Sequence, residues 1–559
     1  MGKPKQPASY GEKPAAAVLV DALLANGVTQ VFCVPGESYL AILDALYEAR
    51  DRIQLTVCRH EAGAANMAEA YAKLTGKPGV AMVTRGPGAT HAAVGLHTAY
   101  QDSTPIILFI GQVARDQADR EAFQEIEYRR FLAPITKWAG QVERPARMVE
   151  YVNRAFATAQ NGRPGPVALA LPEDVLTKDV PSRSAPLMAA PVVAIKPDAS
   201  ALQDIRDRLC AAKKPFVLVG GGGWTREGVT ALAEFAEKCG APIGASFRAK
   251  DLLDNRNPSY AGDVGIAPNP VLAERVRESD VVLALGPRLG EMTTSGYTLF
   301  DTPHPMQQLI HVHPGAEELG RVFTPALAVN ASPSKTAIGL AAMDWPANKD
   351  WRRQTKDAHA AFQSFSKTID VGEGVNLSEV FSWLSETLPP DAIVCNGAGN
   401  YAAWLHRFYQ HKAFKTQLAP TSGAMGYGLP ASIAAKSAKP DSDVVCVAGD
   451  GCFMMASPEF ATLAQYGLGV IVLVINNASY GTIRMHQERD YPGRVSGTAL
   501  INPDFAAYAK SFGAFGARVE ATEAFPDTFI SAQRATKAGG PALIEIVTAT
   551  AEIAPGKRL

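Results

Sequence analysis

The chain has 559 residues, more than one hydrophobic core can organise, so about three domains are expected. It is 47% hydrophobic and 19% charged with a formal net charge of -1, which makes no electrostatic case for nucleic acid or an anionic membrane. No apolar run approaches the roughly 20 residues a membrane helix needs. The first residues, MGKPKQPASYGEK, are polar with no apolar stretch behind them, so no signal peptide is expected. Gln6 stands where myristoylation would want Ser or Thr. Seven scattered cysteines form no C-x-x-C pair and sit mostly in apolar runs, which fits a reducing cytoplasm and offers no zinc site.

Along the chain, short Val/Ile/Leu runs alternate with helical stretches. GVAMVT, PIILFIG and PVALALP come first, then PFVLVGG, DVVLALG and QLIHVHP, then DVVCVAGD and VIVLVINN. Runs apolar on both faces suggest buried parallel strands, and the helical intervals suggest βαβ units. Residues 181–200 (rich in Pro, Ser and Ala) and 345–375 read as linkers. The expected fold is α/β, with three doubly wound parallel-sheet domains at 1–182, 195–345 and 370–559.

In the first segment, Arg59-His60-Glu61 falls between a strand and an Ala/Gly-rich helix. Taken alone, Glu61 could simply cap that helix. The third segment is more informative. A strand over Val444–Ala448 runs into Gly449-Asp450-Gly451, a helix is expected with Ser457 as cap and Pro458 at its first position, and a strand over Val470–Ile475 delivers Asn476-Asn477. The 24 residues between Gly451 and Asn476 are about what one crossover helix and a return strand consume, so both turns should emerge at the carboxyl edge of the sheet, where ligands bind. Asp450, the Asn477 amide and the Ser479 carbonyl are hard oxygen donors suited to Mg2+, and the glycines let backbone N–H groups approach a diphosphate. GDG alone would be only a turn; the pair with this spacing is a far stronger signal.

GDG…NN, with R-H-E upstream, resembles the thiamine-diphosphate enzyme family whose members include acetolactate synthase, benzaldehyde lyase and pyruvate decarboxylase. The resemblance covers nearly the whole chain. It implies that Glu61 bonds the N1′ nitrogen of the cofactor's aminopyrimidine and drives the imino tautomer, whose nitrogen deprotonates the thiazolium carbon. It implies a cofactor cradle from Asn396-Gly-Ala-Gly-Asn400 and Thr421-Ser-Gly-Ala-Met-Gly426. There Asn400 lines the cofactor, the Gly423 carbonyl accepts from the 4′-amino group, and Met425 wedges the cofactor into its bent form. Gly449, Asp450, Gly451, Cys452, Asn477, Tyr480 and Gly481 complete the cofactor contacts. Asp450, Asn477 and Ser479 hold the metal. In the family the pyrimidine-side glutamate serves a cofactor held mainly by another subunit, so at least a homodimer is implied, with a dimer of dimers open.

Within the family, TRGPGAT, AYQDSTPIILFIGQV, EAFQEIEY, PITKW and GRPGPVALALPED look most like acetolactate synthase. By that pattern Phe123, Gln124 and Lys137 border the substrate channel. The departures are Ala114 in place of proline, and Thr482 and His486 where the synthases carry methionine and tryptophan. Losing that tryptophan puts the acetohydroxyacid synthase reaction itself in doubt, and His486 could serve as a proton donor or acceptor or be a bystander. In the middle segment PFVLVGGGGWTREG is glycine-rich after a strand, but GPRLGEMTTSGY, HVHP and Asn330-Ala331 alter the synthase-type acidic positions. This counts against FAD without excluding it. The implied activity is a carboligase or lyase acting on 2-oxo acids or aldehydes. A simple decarboxylase or an FAD-using oxidase on the same scaffold, and a noncatalytic cofactor-binding protein, are the competing readings.

Overall fold

The computed structural model describes residues 11–182 and 187–559. The polar first ten residues with Gln6, and part of the link at 181–200, lie outside them. The described chain divides into two compact units, one ending at Val192 and the other running from Val193 to Leu559, with residues 73–76 and 101–103 belonging to the second.

The first unit is built on a six-stranded parallel sheet. Its strands are β1 (Gln30–Cys33), β2 (Gln54–Val57), β3 (Gly79–Val83), β4 (Ile106–Gln112), β5 (Trp138–Gln141) and β6 (Val167–Pro172), in the order β2-β1-β3-β4-β6-β5. Every residue of β1, β3, β4 and β6 is buried. That is why they read as continuous apolar runs, since helices cover both faces of a parallel sheet. Helix α1 (Glu61–Thr75) follows β2 and lies beside helix α2 (Pro87–Asp102). The two approach closely because Gly95 has no side chain: a Cβ there would stand 2.4 Å from the Ala65 Cβ.

The second unit contains two such sheets. The first has β7 (Pro215–Val219), β8 (Ile243–Ala245), β9 (Tyr260–Asp263), β10 (Val281–Leu285), β11 (Gln308–His313) and β12 (Leu327–Asn330), ordered β9-β8-β7-β10-β11-β12. The other has β13 (Ile393–Asn396), β14 (Gln417–Leu418), β15 (Val444–Gly449), β16 (Val470–Asn476), β17 (Phe515–Val519) and β18 (Ala542–Val547), ordered β14-β13-β15-β16-β18-β17. The three expected α/β segments are thus three parallel sheets, but the second and third share one compact unit.

Buried polar ties join those two. Lys250, buried, donates to the carbonyls of His406 and Tyr409 (2.9 Å to the latter). Asp251 accepts from the backbone of Thr416 and Gln417 at 3.1 and 3.2 Å. Asn255 and His411 exchange two bonds of 2.9 Å. Backbone groups paired this way cannot separate without leaving buried polar atoms unsatisfied.

The Gly95 contact makes a prediction. Gly95→Val should lower stability by about 1–3 kcal/mol through overpacking against Ala65. It should appear as a lowered urea midpoint for the transition that reports the first unit.

Candidate active site

In both outer sheets the first and third strands are neighbours with later connections leaving in opposite directions, which makes a switch point where open α/β sheets bind ligands. In the third sheet this lies between β13 and β15. The loops leaving the carboxyl ends of its strands enclose a cavity of about 230 Å³. Gly399 and Asn400 come from the β13 loop and Gly423 and Met425 from the β14 loop. Gly449 ends β15, and Asp450, Gly451 and Cys452 follow it; Asn477, Ser479, Tyr480, Gly481 and Thr482 follow β16. The cavity therefore gathers every cofactor and metal residue expected in this segment, together with Thr482.

Asp450 is 3% exposed, at the first position of helix α3 (Asp450–Met454). Burial pushes its carboxyl above the usual range, opposed by hydrogen bonds from the backbone of Gly451 and the Asn502 amide. Gly451 N–H donates to Oδ1 and Asn502 Nδ2 to Oδ2, both at 2.8 Å. Asn502 Nδ2 also donates to Asn476 Oδ1 at 3.0 Å. At the neighbouring strand end, Ala478 takes a left-handed φ of 51° and turns the chain so that Ser479 N–H donates to Asn477 Oδ1 at 3.1 Å. The Ser479 carbonyl accepts from Gly481 N–H at 2.8 Å. Each of these oxygens keeps acceptor capacity for a cation, and the donor set is all oxygen. The glycines are required by close approach. A Cβ on Gly449 would meet the Tyr401 ring at 2.9 Å, and one on Gly451 the Tyr480 ring at 2.6 Å.

Cys452 is buried and its Sγ accepts from Gly426 N–H at 3.2 Å and from the Tyr401 hydroxyl at 3.3 Å. Thr482 Oγ1 donates to Asn400 Oδ1 at 2.9 Å, tying two walls of the cavity. His486 is exposed and lies outside the lining, on helix α4 (Gly481–Asp490). It follows Thr482 by four residues and so shares its helix face, one turn further out.

The expected helix after Gly451 is present, but in two pieces. The chain turns helical already at Asp450 and breaks at Ala456; Ser457–Glu459 then form a 3-10 turn, with Pro458 in it, that leads directly into a helix over Phe460–Gln465. Ser457 makes no capping bond; its hydroxyl donates to the Met454 carbonyl at 3.3 Å.

In the first unit Glu61 is the first residue of α1, with its side chain 13% exposed. Its Oε1 lies 3.4 Å from the place a Cβ on Gly88 would occupy. Gln124, at φ 65°, packs on the same Gly86–Gly88 turn: a Cβ on Gly86 would stand 2.7 Å from the Gln124 Cβ. Phe123 beside it is 71% exposed. Lys137 stands apart, since it precedes β5 at the amino edge of the sheet whereas Glu61 follows a carboxyl end. Its ammonium donates to the Asn161 carbonyl at 2.6 Å.

Several residues escaped sequence reasoning. Leu377, Trp404, Thr548, Glu552 and Ile553 also line the cavity, and Asn502 holds Asp450 from a loop distant in sequence. His91 contacts Glu61 at 2.9 Å. None carries a local pattern; only the sheet order brings them in.

Three thiamine pyrophosphate enzyme models match this chain: the N-terminal binding domain over residues 14–130, the central domain over 202–340 and the C-terminal binding domain over 397–546. It belongs to the thiamine pyrophosphate enzyme family and is a thiamine-diphosphate-dependent enzyme that forms or cleaves carbon–carbon bonds. Within the family it is acetolactate synthase-like. An acetolactate synthase large subunit from Cyanidium caldarium is 31% identical, with 98% of this chain and 96% of that protein covered. The isozyme 2 large subunit of Escherichia coli (strain K12) is 30% identical, covering 94% of each chain. The large subunit from Lactococcus lactis is 30% identical, covering 97% and 94%.

Replacing Asp450 by Asn keeps the shape and removes a buried charge. The apoprotein of Asp450→Asn should melt no lower than the parent. Mg2+ with thiamine diphosphate should raise the melting temperature of the parent and not that of the variant, as read by differential scanning fluorimetry.

Proposed function

We propose that this enzyme joins or splits 2-oxo acids and aldehydes, with Asp450, Asn477 and the Ser479 carbonyl holding Mg2+ against the cofactor's diphosphate. The carrying observation is the cavity at the β13/β15 switch point, which combines a buried carboxylate with two further oxygen donors and a glycine-lined edge. When bound, thiamine diphosphate supplies a nucleophilic carbon and an electron sink for the breaking bond. Met425 would be the apolar wedge against it, Gly423 would offer its carbonyl, and Asn400, Cys452, Tyr480 and Gly481 would line its seat. Glu61 exchanges a proton with the pyrimidine side.

On the substrate side, Thr482 and Ile483 face the cavity and His486 extends that wall outward. Gln124 and Phe123 flank the turn that Glu61 abuts; Lys137, at the amino edge of the sheet, lies away from that turn and only the resemblance links it to the channel. An apolar enclosure including Leu377, Trp404, Ile475 and Ile553 favours a less charged state of the reacting substrate over the charged one before it.

The protein works as a homodimer or a dimer of dimers, with each active site completed by Glu61 of a neighbouring subunit. Exposed apolar side chains at and near the cavity's lining, among them Met455 and Ile483, support burial against a second copy. Seven free thiols, six of them buried, fit a cytoplasmic setting, and among the described residues no helix is long and apolar enough to cross a membrane. The domain plan is 1–182, 195–345 and 370–559.

FAD is proposed to be absent. The switch point of the middle sheet lies between β7 and β10, and its loops press on one another. A Cβ on Gly221 would stand 2.0 Å from the Gly286 carbonyl oxygen, and one on Gly220 1.9 Å from Ser246 Oγ. Arg288, beside it, pairs with the buried Glu318 at 3.3 Å. The purified protein should therefore be colourless, and stoichiometric flavin bands in its visible spectrum would overturn this.

The central test is Glu61→Gln. Glutamine keeps the side chain's size but cannot pass a proton, so cofactor affinity should hold while turnover falls by about 10^2- to 10^4-fold. C2-proton exchange of bound cofactor, followed by NMR after acid quench, should slow in step. A panel of 2-oxo acids and aldehydes should return ligated or cleaved products with the parent only.

A further inference from the structure

We propose that His91 is a positioning residue for Glu61: it fixes one carboxyl oxygen so that the other is presented to the cofactor. This rests on the assignment of Glu61 as the proton-exchanging acid. His91 lies on α2, in the same compact unit as Glu61, and its Nδ1 is 2.9 Å from Glu61 Oε2. When Glu61 is ionised both its oxygens are acceptors, so the contact requires Nδ1 of His91 to carry the hydrogen. Oε1 is then the oxygen left for the cofactor, and it borders Gly88, whose missing side chain keeps that approach open.

The His91 ring is itself held. It stacks on His60 with centroids 4.5 Å apart and planes 28° from parallel. His60 is fixed in turn, because its Nδ1 accepts from Ala62 N–H at 3.1 Å, in the first turn of the helix that Glu61 opens. That bond uses the lone pair of His60 Nδ1, so His60 stacks as a neutral ring when it is made. One ring nitrogen of each histidine and one Glu61 oxygen lie within 4.8 Å of one another. The carboxyl of Glu61 is thus held from α2, by a ring that is itself braced from the start of α1. The His91 side chain is half exposed while Glu61 is nearly covered, so the imidazole also stands between the acid and bulk water.

A held carboxyl loses less freedom on meeting its partner, which is the benefit of a preorganised catalytic group. Neither histidine is needed for the core, so substitution at 91 should spare the fold.

The experiment compares parent, His91→Leu, His91→Asn and Glu61→Gln as holoenzymes loaded with Mg2+ and thiamine diphosphate. It reads C2-proton exchange together with cofactor affinity and circular dichroism. Asparagine places an N–H donor near where Nδ1 stood, and leucine places none. His91→Leu should slow exchange roughly ten- to a hundred-fold, the size of a lost hydrogen bond to a charged group, with cofactor affinity and fold kept. His91→Asn should recover most of the parent rate. If Glu61→Gln is slow but His91→Leu matches the parent, the positioning role is overturned while the role of Glu61 stands. Equal slowness of the Asn and Leu variants would overturn it too, since the effect would then be loss of the ring and not of the bond. An unimpaired Glu61→Gln would remove the assignment of Glu61 first, and this inference with it.

Discussion

The structure turns on one buried carboxylate. Asp450 sits at the end of a strand buried along its whole length, and burial alone would disfavour its charge. Neutral donors answer it, the Gly451 N–H, the Asn502 amide and the backbone of Ala478 and Ser479, and none carries a full positive charge. A carboxylate so placed is a liability in an apolar edge and an asset beside a divalent cation, whose attraction exceeds what neutral hydrogen bonds return. The rest of the edge fits the proposed metal role. The glycines on either side of Asp450 bring the rings of Tyr401 and Tyr480 against it, and the β16 turn brings two more oxygens.

The three sheets show how one rule gives different outcomes. The outer two share a strand order, each with its switch point between its first and third strands; in the middle sheet the switch falls between the first and fourth. In the third sheet the switch-point loops stand apart and leave a cavity. In the middle sheet they touch, backbone to backbone, through Gly220, Gly221 and Gly286. Glycine therefore serves opposite ends: beside Asp450 it borders a site, and beside β7 it lets a crevice close. Glycine richness after a strand cannot by itself distinguish the two. The middle sheet's other task is visible in Lys250, Asp251 and Asn255, which bind it to the segment around residues 406–417.

That contrast explains what was legible in the sequence. Strands buried on both faces declared themselves as unbroken apolar runs, and the spacing of Asp450 to Asn477 encoded a parallel crossover. Met425 and Gly423 could be found because they lie in one short motif. Asn502, Trp404 and Glu552 could not, because a loop's route to a cavity depends on strand order and not on its neighbours in sequence. The Ser457-Pro458 pair did mark a helix start, but the helix opens as a 3-10 turn and the serine does not cap it; its hydroxyl donates to the Met454 carbonyl. The fusion of the second and third segments was hidden because its agents, a lysine and an aspartate, read as surface residues until their backbone partners are known.

Asp450 and Glu61 are housed in contrasting ways, and the contrast matches the roles proposed for them. A group proposed to anchor a cation should be rigid and shielded, as Asp450 is. A group proposed to take and return a proton on one oxygen needs a partner that fixes the other, and that second oxygen accepts a hydrogen bond whether or not the first is protonated. A neutral imidazole with its hydrogen on Nδ1 is such a donor. Glu61 has such a partner in His91, at hydrogen-bond distance and stacked on a second imidazole. The same residue type, carboxylate, is thus placed in two environments suited to the two proposed roles: backbone and amide donors at the sheet edge, a side-chain imidazole at the helix start.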